Sequence, residues 1–203
     1  MLKIYHAPFS RSVRILWLAE EINLSYQLES FTLFTAAMQT PAFLKVHPQG
    51  KVPAIDDNGF VLWETSAIIE YLVARYSDGA LLPERASQAG ATAVQWMEFA
   101  ENQLTVIMAE IVAHGGILPQ ERIIPALVER GNSLAPQLIQ IVEQALDGKL
   151  YILGDRFSAA DIMLGFGLNI ATYLEFVSHA TPNCQAYCTR LANRPAYMRA
   201  NAA

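Results

Sequence analysis

Gly154-Asp155-Arg156-Phe157-Ser158-Ala159-Ala160-Asp161-Ile162 is the most specific local pattern in this chain of 203 residues. Ser158 belongs to the residue types that cap helix N-termini, and Asp161 follows at the third helical position, where a carboxylate can accept a hydrogen bond from the amide of the cap. Phe157 and Ile162 flank the pair as a hydrophobic staple does. The pattern holds no nucleophile beside a base, so we predict that Ser158 and Asp161 are structural and open a buried helix.

Helical patterns also dominate on both sides of this motif. One amphipathic helix is predicted from Ala89 to about His114, where Gly115-Gly116 ends it, and another from about Glu121 to Ala145, bent near Pro136. Strand patterns are absent from this half of the chain. We therefore predict an all-α helical-bundle domain over residues 88–203.

The residues before position 78 alternate strand and helix patterns instead. The predicted elements are strands at 2–6 and 25–31 around a helix at 12–22, a short helix at 42–46, strands at 52–55 and 60–63, and a helix at 65–76. This βαβ-α-ββα order is that of a thioredoxin-like α+β domain, which we assign to residues 1–77. Residues 78–87, with Asp78-Gly79 and Pro83, form the predicted linker.

Composition and charge exclude several classes of protein. The net charge is -5 and the basic residues are scattered, so we expect no nucleic-acid binding. No apolar run approaches the roughly 20 residues of a membrane span, and the N-terminus has a strand pattern rather than that of a secretory leader, so we expect a cytoplasmic protein. The four histidines and the pair Cys184 and Cys188 form no metal-ligand cluster, so we expect no metal.

Three further motifs precede the capping motif in a fixed order: Tyr5-His6-Ala7-Pro8-Phe9-Ser10-Arg11-Ser12-Val13-Arg14, His47-Pro48-Gln49-Gly50-Lys51-Val52-Pro53, and Trp63-Glu64-Thr65-Ser66-Ala67-Ile68. With them, nearly the whole chain resembles the glutathione S-transferase family, in particular its cytosolic, bacterial-like, serine-type members. The resemblance implies a thioredoxin-like domain that binds glutathione and a helical domain behind it.

The resemblance also implies which residues bind glutathione. In the family the proline at the position of Pro53 is cis, and the backbone of the preceding residue, here Val52, pairs with the cysteinyl unit of glutathione as an added strand does. The γ-glutamyl carboxylate is expected at the helix start, against Thr65, with Glu64 near the ammonium group. Gln39 and Lys51 are candidate contacts to the glycyl end.

Ser10 is the candidate catalytic residue, since it matches the serine of the serine-type classes. A thiol with a pKa near 8.5 is only a few per cent ionised at pH 7, and lowering that pKa by about two units requires roughly 2.7 kcal/mol. A hydrogen bond to the thiolate and a nearby helix N-terminus suffice for this. Tyr5 and Ser12 are the alternatives, and a plain helix cap is the competing role for Ser10. The motif offers no cysteine for a mixed disulfide with the enzyme.

An apolar co-substrate is expected beside the glutathione sulfur, with Phe9, Phe34, Met108 and Ile111 as candidate pocket residues, although a helical apolar stripe is more often core.

The resemblance implies a homodimer. Reduction of hydroperoxides by the same thiolate is the alternative activity, and a non-catalytic binding or regulatory module is the alternative function.

Overall fold

A four-stranded mixed sheet organises the N-terminal part of the chain. The computed structural model describes all residues, 1–203. The strands are β1 (Leu2–His6), β2 (Tyr26–Ser30), β3 (Ala54–Asp57) and β4 (Phe60–Trp63), in the order β2-β1-β3-β4. Strand β1 runs parallel to β2 and antiparallel to β3, and β3 pairs antiparallel with β4. The predicted thioredoxin-like fold is confirmed.

Helices α1 (Val13–Glu21) and α3 (Thr65–Tyr76) provide the apolar layer of this unit, and a short α2 (Pro41–Leu44) lies between β2 and β3. The sheet residues Ile4 and Ile55 are completely buried. The helical residues that are completely buried with them are Ile15, Leu16, Leu18, Ile68, Ile69 and Leu72. Both helices therefore contribute completely buried apolar residues to the core of this unit.

Contacts divide the chain into two units, Met1–Pro83 with Asn193–Ala203, and Glu84–Ala192. The last eleven residues thus group with the sheet, whereas the sequence placed them in the helical domain. The cause is helix α9 (Pro195–Asn201), which packs on α1. The Tyr197 ring meets Trp17 edge to face at 4.8 Å, and the Arg194 guanidinium donates to both carboxylate oxygens of Glu21, at 2.6 and 2.7 Å.

The second unit contains only helices, as predicted. They are α4 (Gln88–Phe99), α5 (Val106–Val112), α6 (Pro125–Ala145), α7 (Ala159–Tyr173) and α8 (Pro182–Ala192). The single helix expected from Ala89 to His114 is interrupted by two π-helical turns, Ala100–Thr105 and Ala113–Ile117. Helix α6 begins four residues later than predicted, because Pro125 occupies its first turn and keeps Ile124 extended.

Asp161 is the polar centre of the helical unit. Its carboxylate accepts hydrogen bonds from the Ser158 amide at 2.7 Å, the Ser158 hydroxyl at 2.8 Å, the Ile152 amide at 2.8 Å and the Tyr187 hydroxyl at 2.6 Å. The bond that returns to the cap's own amide is therefore present. Burial raises the pKa of Asp161 in spite of these donors. The carboxylate joins the start of α7 to the loop before it and to α8.

We predict that Asp161→Ala destabilises the protein by at least about 3 kcal/mol, because buried donors lose their acceptor and the capping box of α7 loses its reciprocal bond. Urea denaturation followed by circular dichroism measures this. Asp155→Ala, at an exposed position of the same motif, is the matched control and should change stability by less than about 0.5 kcal/mol. Equal denaturation midpoints for the two variants would contradict the structural role of Asp161.

Candidate functional site

The loop between β1 and α1 presents Ser10. Its side chain is partly exposed, and it follows Phe9, which holds a left-handed backbone with φ 62°. The N-cap position of α1 belongs to Ser12, and no side chain caps this helix. Ser10 Oγ nevertheless accepts a hydrogen bond from the Ser12 amide at 3.2 Å, so capping of the first turn stays an alternative role for Ser10.

Ser12 is completely buried below Ser10. Its Oγ lies 2.6 Å from Ser10 Oγ and 2.8 Å from His6 Nδ1, and it accepts a hydrogen bond from the Ala7 amide at 3.1 Å. A ligand at the surface of the loop reaches Ser10 and not Ser12.

Tyr5 points into the interior rather than toward the loop. Its ring packs on Phe43 with the centroids 5.6 Å apart and on Phe31 at 6.5 Å, in a cluster that includes Met38 and Ala54. Burial raises the pKa of Tyr5. Of the three residues whose hydroxyls were considered as thiolate donors, only Ser10 is partly exposed at the surface.

The peptide bond between Val52 and Pro53 is cis. The backbone of Val52 makes no hydrogen bond to the rest of the chain, so its N–H and C=O are free to pair with an extended ligand. The preceding turn is tight: the Gly50 amide donates to the His47 carbonyl at 2.8 Å, and the Gln49 amide donates to His47 Nδ1 at 3.2 Å.

Gly50 brings two of the candidate residues together. Its φ is 59°, and a Cβ on it would lie 2.1 Å from the Met38 carbonyl oxygen and 2.5 Å from Gln39 Nε2. Only glycine fits there. The Gln39 side chain therefore lies against Gly50, the residue that precedes Lys51. The side chains of Gln39 and Lys51 are both exposed.

Helix α3 starts without a side-chain cap. Glu64 occupies the N-cap position with φ 77° and ψ 122°, and its carboxylate bonds no amide of the first turn. Helices α2 and α4 differ, because the hydroxyls of Thr40 and Ser87 accept hydrogen bonds from their first turns. The first amides of α3 therefore remain available, with the positive end of the helix dipole, to an anionic ligand.

A buried cation lies next to the start of α3, where this anion site is. Arg14 on α1 is completely buried, and its Nη2 donates to Thr65 Oγ1 at 3.2 Å. Because the Thr65 oxygen already accepts, the proton of its hydroxyl is left to donate to a ligand. Thr65 itself is 4% exposed, so that proton points into a confined place.

Strand register brings the three motifs to one edge of the sheet. Ala54 pairs with Tyr5 on one side and with Trp63 on the other. The loop that carries Ser10 follows β1, the cis peptide precedes β3, and the start of α3 follows β4. All three therefore meet at the same end of neighbouring strands.

Comparisons with known proteins find two family models in the chain. The family models for the glutathione S-transferase N-terminal and C-terminal domains match residues 1–74 and 120–195. The chain belongs to the glutathione S-transferase family. The chain is 29% identical to glutathione S-transferase 3 of Zea mays, over 100% of this chain and 94% of that protein.

Two other family relatives bear on the chemistry. The disulfide-bond oxidoreductase YfcG of Escherichia coli is 26% identical, over 97% of this chain and 92% of that protein. A glutathione transferase family member from Pseudomonas fluorescens, solved with two glutathione bound, superposes with a TM-score of 0.88 at 26% identity, covering 98% of this chain and 92% of that one.

The four residues predicted for a transferase co-substrate pocket separate into two kinds. Phe9 is 95% exposed and Phe34 is 85% exposed, and both have positive φ. Met108 and Ile111 are buried in the core of the helical unit, and the space above Gly131 is filled by Ile111. This placement differs from the expected pocket, because contacts between α5 and α6 cover these two side chains.

Sequence reasoning assigned no role to two polar residues of this region. His6 and Arg14 are both completely buried, although histidine and arginine are usually at least partly exposed. For Arg14 a signal existed, since a cation stands among the apolar residues Val13 and Ile15 of α1.

In the described chain no group of three or more His, Cys, Asp or Glu side chains could hold a metal ion. None of the helices has the length and apolar composition needed to cross a bilayer.

Proposed function

We propose that this chain binds glutathione, stabilises its thiolate with Ser10, and lets the thiolate sulfur attack an electrophilic carbon of an apolar co-substrate, whose leaving group is released. The observation that supports this best is the meeting of an exposed serine, an unpaired backbone segment and an uncapped helix N-terminus at one edge of the sheet. The serine can donate to the thiolate of the tripeptide, the backbone segment can pair with its peptide backbone, and the helix N-terminus can bind its carboxylate.

The γ-glutamyl carboxylate takes the start of α3. The Thr65 hydroxyl and the free amides of the first turn donate to it, while Arg14 keeps the local potential positive. Glu64, exposed and next to these amides, is the partner for the ligand's ammonium group. The Val52 backbone pairs with the cysteinyl unit, and Gln39 and Lys51 reach the glycyl carboxylate.

The energy needed for ionisation is modest. A hydrogen bond from Ser10 to a thiolate contributes about 1.5 to 3 kcal/mol, and a helix N-terminus adds about 0.3 to 1. Lowering the thiol pKa by about two units requires roughly 2.7 kcal/mol. The hydroxyl therefore accounts for most of the shift, and no general base is required.

Phe9 and Phe34 form the co-substrate surface. An aromatic side chain that is almost fully exposed while its backbone is held at positive φ is costly in two ways, in solvation and in conformation. Both residues follow strand ends at the edge that carries Ser10. We assign to them the recognition of flat, apolar electrophiles, and we retain the family's homodimer as part of the proposal.

A second candidate function is reduction of disulfides or hydroperoxides by the same thiolate. The similarity to YfcG, a disulfide-bond oxidoreductase, favours it. A non-catalytic module is the third candidate. The three differ in what they require of the site: transferase and reductase need both binding and ionisation, and a module needs neither.

We predict that Thr65→Val weakens glutathione binding at least about tenfold, because a donor to a charged carboxylate is lost. Thr65→Ser keeps the hydroxyl and should stay within about threefold. Isothermal titration calorimetry measures both dissociation constants, and circular dichroism checks folding. Wild-type protein without measurable affinity for glutathione would favour the non-catalytic module.

We predict that Ser10→Ala raises the pKa of bound glutathione's thiol by about 1 to 2 units, the equivalent of one hydrogen bond to a charged group. The ultraviolet absorbance of the thiolate, titrated against pH, measures it. Ser133→Ala, at an exposed position of α6, is the matched control. If the thiol pKa is the same in both variants, Ser10 does not stabilise the thiolate.

We predict that the wild-type protein turns over a chloronitroarene faster than an alkyl hydroperoxide or a glutathione mixed disulfide. The exposed aromatic pair offers a surface for an arene, and neither of the other substrates needs one. Steady-state kcat/KM for each substrate measures the preference. A higher kcat/KM for the disulfide would assign the chain to reduction instead.

A further inference from the structure

His6 lies at the end of β1 with its imidazole completely buried. A buried polar ring is costly unless its nitrogens find partners. Nδ1 lies 2.8 Å from Ser12 Oγ, whereas Nε2 is buried and has no hydrogen-bond partner. Within the loop the ring therefore has one hydrogen bond, and that bond leads toward Ser10.

Three polar side chains form a line from the interior to the surface of the loop. His6 Nδ1 is followed by Ser12 Oγ and then, 2.6 Å further, by Ser10 Oγ. The backbone holds this line at two points, because the Ala7 amide donates to Ser12 Oγ at 3.1 Å and the Ser12 amide donates to Ser10 Oγ at 3.2 Å.

We propose that His6 and Ser12 form a relay that directs the Ser10 hydroxyl proton at the glutathione sulfur: His6 Nδ1–H donates to Ser12 Oγ, and the Ser12 hydroxyl donates to Ser10 Oγ. The inference rests on the proposed function of Ser10. No proton is transferred along the line. His6 and Ser12 are positioning residues, and Ser10 alone contacts the ligand.

The unpartnered Nε2 decides the direction of the relay. A neutral imidazole carries one N–H, and a buried N–H without an acceptor is rarer than a buried acceptor without a donor. The proton therefore belongs on Nδ1, where Ser12 Oγ receives it. Ser12 Oγ then accepts from His6 and from the Ala7 amide, and its own hydroxyl turns to Ser10 Oγ at 2.6 Å, a nearer acceptor than the Ala7 carbonyl at 3.3 Å.

With Ser12 donating outward, Ser10 Oγ accepts from both the amide and the hydroxyl of Ser12. Its proton then has no internal acceptor and points out to the ligand. Linked hydrogen bonds polarise one another, so the outermost hydroxyl becomes a better donor.

The reverse direction, with His6 as the base that removes the thiol proton, is disfavoured. It would place an imidazolium in the interior, and burial, the larger influence on this ring, lowers the pKa of His6, against a smaller opposing effect of the Ala203 backbone. A neutral donor fits the interior better than a cation does.

The experiment titrates the thiolate absorbance of bound glutathione in three variants, His6→Leu, His6→Asn and Ser12→Ala. His6→Leu and Ser12→Ala break the relay, and we expect each to raise the thiol pKa by about 0.5 to 1 unit. They should lower kcat while the KM for glutathione stays within about twofold. His6→Asn supplies an amide N–H in the place of Nδ1–H but cannot accept a proton, so it should restore the wild-type thiol pKa.

Two controls make the result specific. His179→Leu removes an exposed histidine and should have no effect. In a Ser10→Ala background His6→Leu should cause no additional shift, because the relay has already lost its outer member. If His6→Leu does not fold, Ser12→Ala and His6→Asn still decide the question.

The outcomes separate the two hypotheses. A wild-type protein that leaves the thiol pKa of glutathione unchanged would overturn the proposed function, and the relay with it. A lowered wild-type pKa that persists in His6→Leu and Ser12→Ala would overturn the relay alone. Equal pKa increases in His6→Asn and His6→Leu would also overturn it, since the donor would then have no role.

Discussion

Every feature of the candidate site depends on the backbone pairing of Ala54 with both Tyr5 and Trp63. This register sets which residues stand at the edge of the sheet. A slip by one residue would turn the side chains of β3 to the opposite face and would displace the cis peptide from the loop that carries Ser10. The buried residues Ile4 and Ile55, which face each other across β1 and β3, stabilise the register through the core they share.

The same edge concentrates strained backbone. Apart from Asn and Asp, which tolerate positive φ, the non-glycine residues with positive φ are Phe9, Phe34, Glu64 and Glu175. Three of these four follow directly or closely after β1, β2 and β4. Each costs of order 1 to 3 kcal/mol and persists only where the surrounding structure enforces it. The strain presents two aromatic side chains to solvent and leaves the first amides of α3 without a cap.

Local rules predicted the parts of the structure that local interactions determine. The cap at Ser158 and the helix that begins at Thr65 follow from short-range geometry, and the sequence was sufficient for them. The Tyr187 hydroxyl that joins Asp161 from α8 is a long-range contact that no spacing indicates. The π-helical turns in the run from α4 to α5 were also missed, because one inserted residue per turn barely alters an apolar periodicity.

The choice between Ser10 and Ser12 shows the same limit in the site itself. Both are serines of one short motif, and residue type gives no reason to prefer either. Burial separates them: Ser12 is enclosed by His6 and the Ala7 backbone, and Ser10 reaches the surface. The fold of the loop, and not its composition, therefore determines which hydroxyl can meet a ligand.

The protein's own thiols narrow the chemistry further. Cys184 is completely buried with its pKa raised by burial, and burial also raises the pKa of Cys188 to about 11, so neither is a thiolate near neutral pH. In the proposed function, reduction of a disulfide would therefore use the sulfur of glutathione as its nucleophile, as the transfer reaction would. The two proposed activities would share glutathione binding and ionisation at Ser10. They would diverge where the second substrate meets Phe9 and Phe34, whose side chains are 95% and 85% exposed.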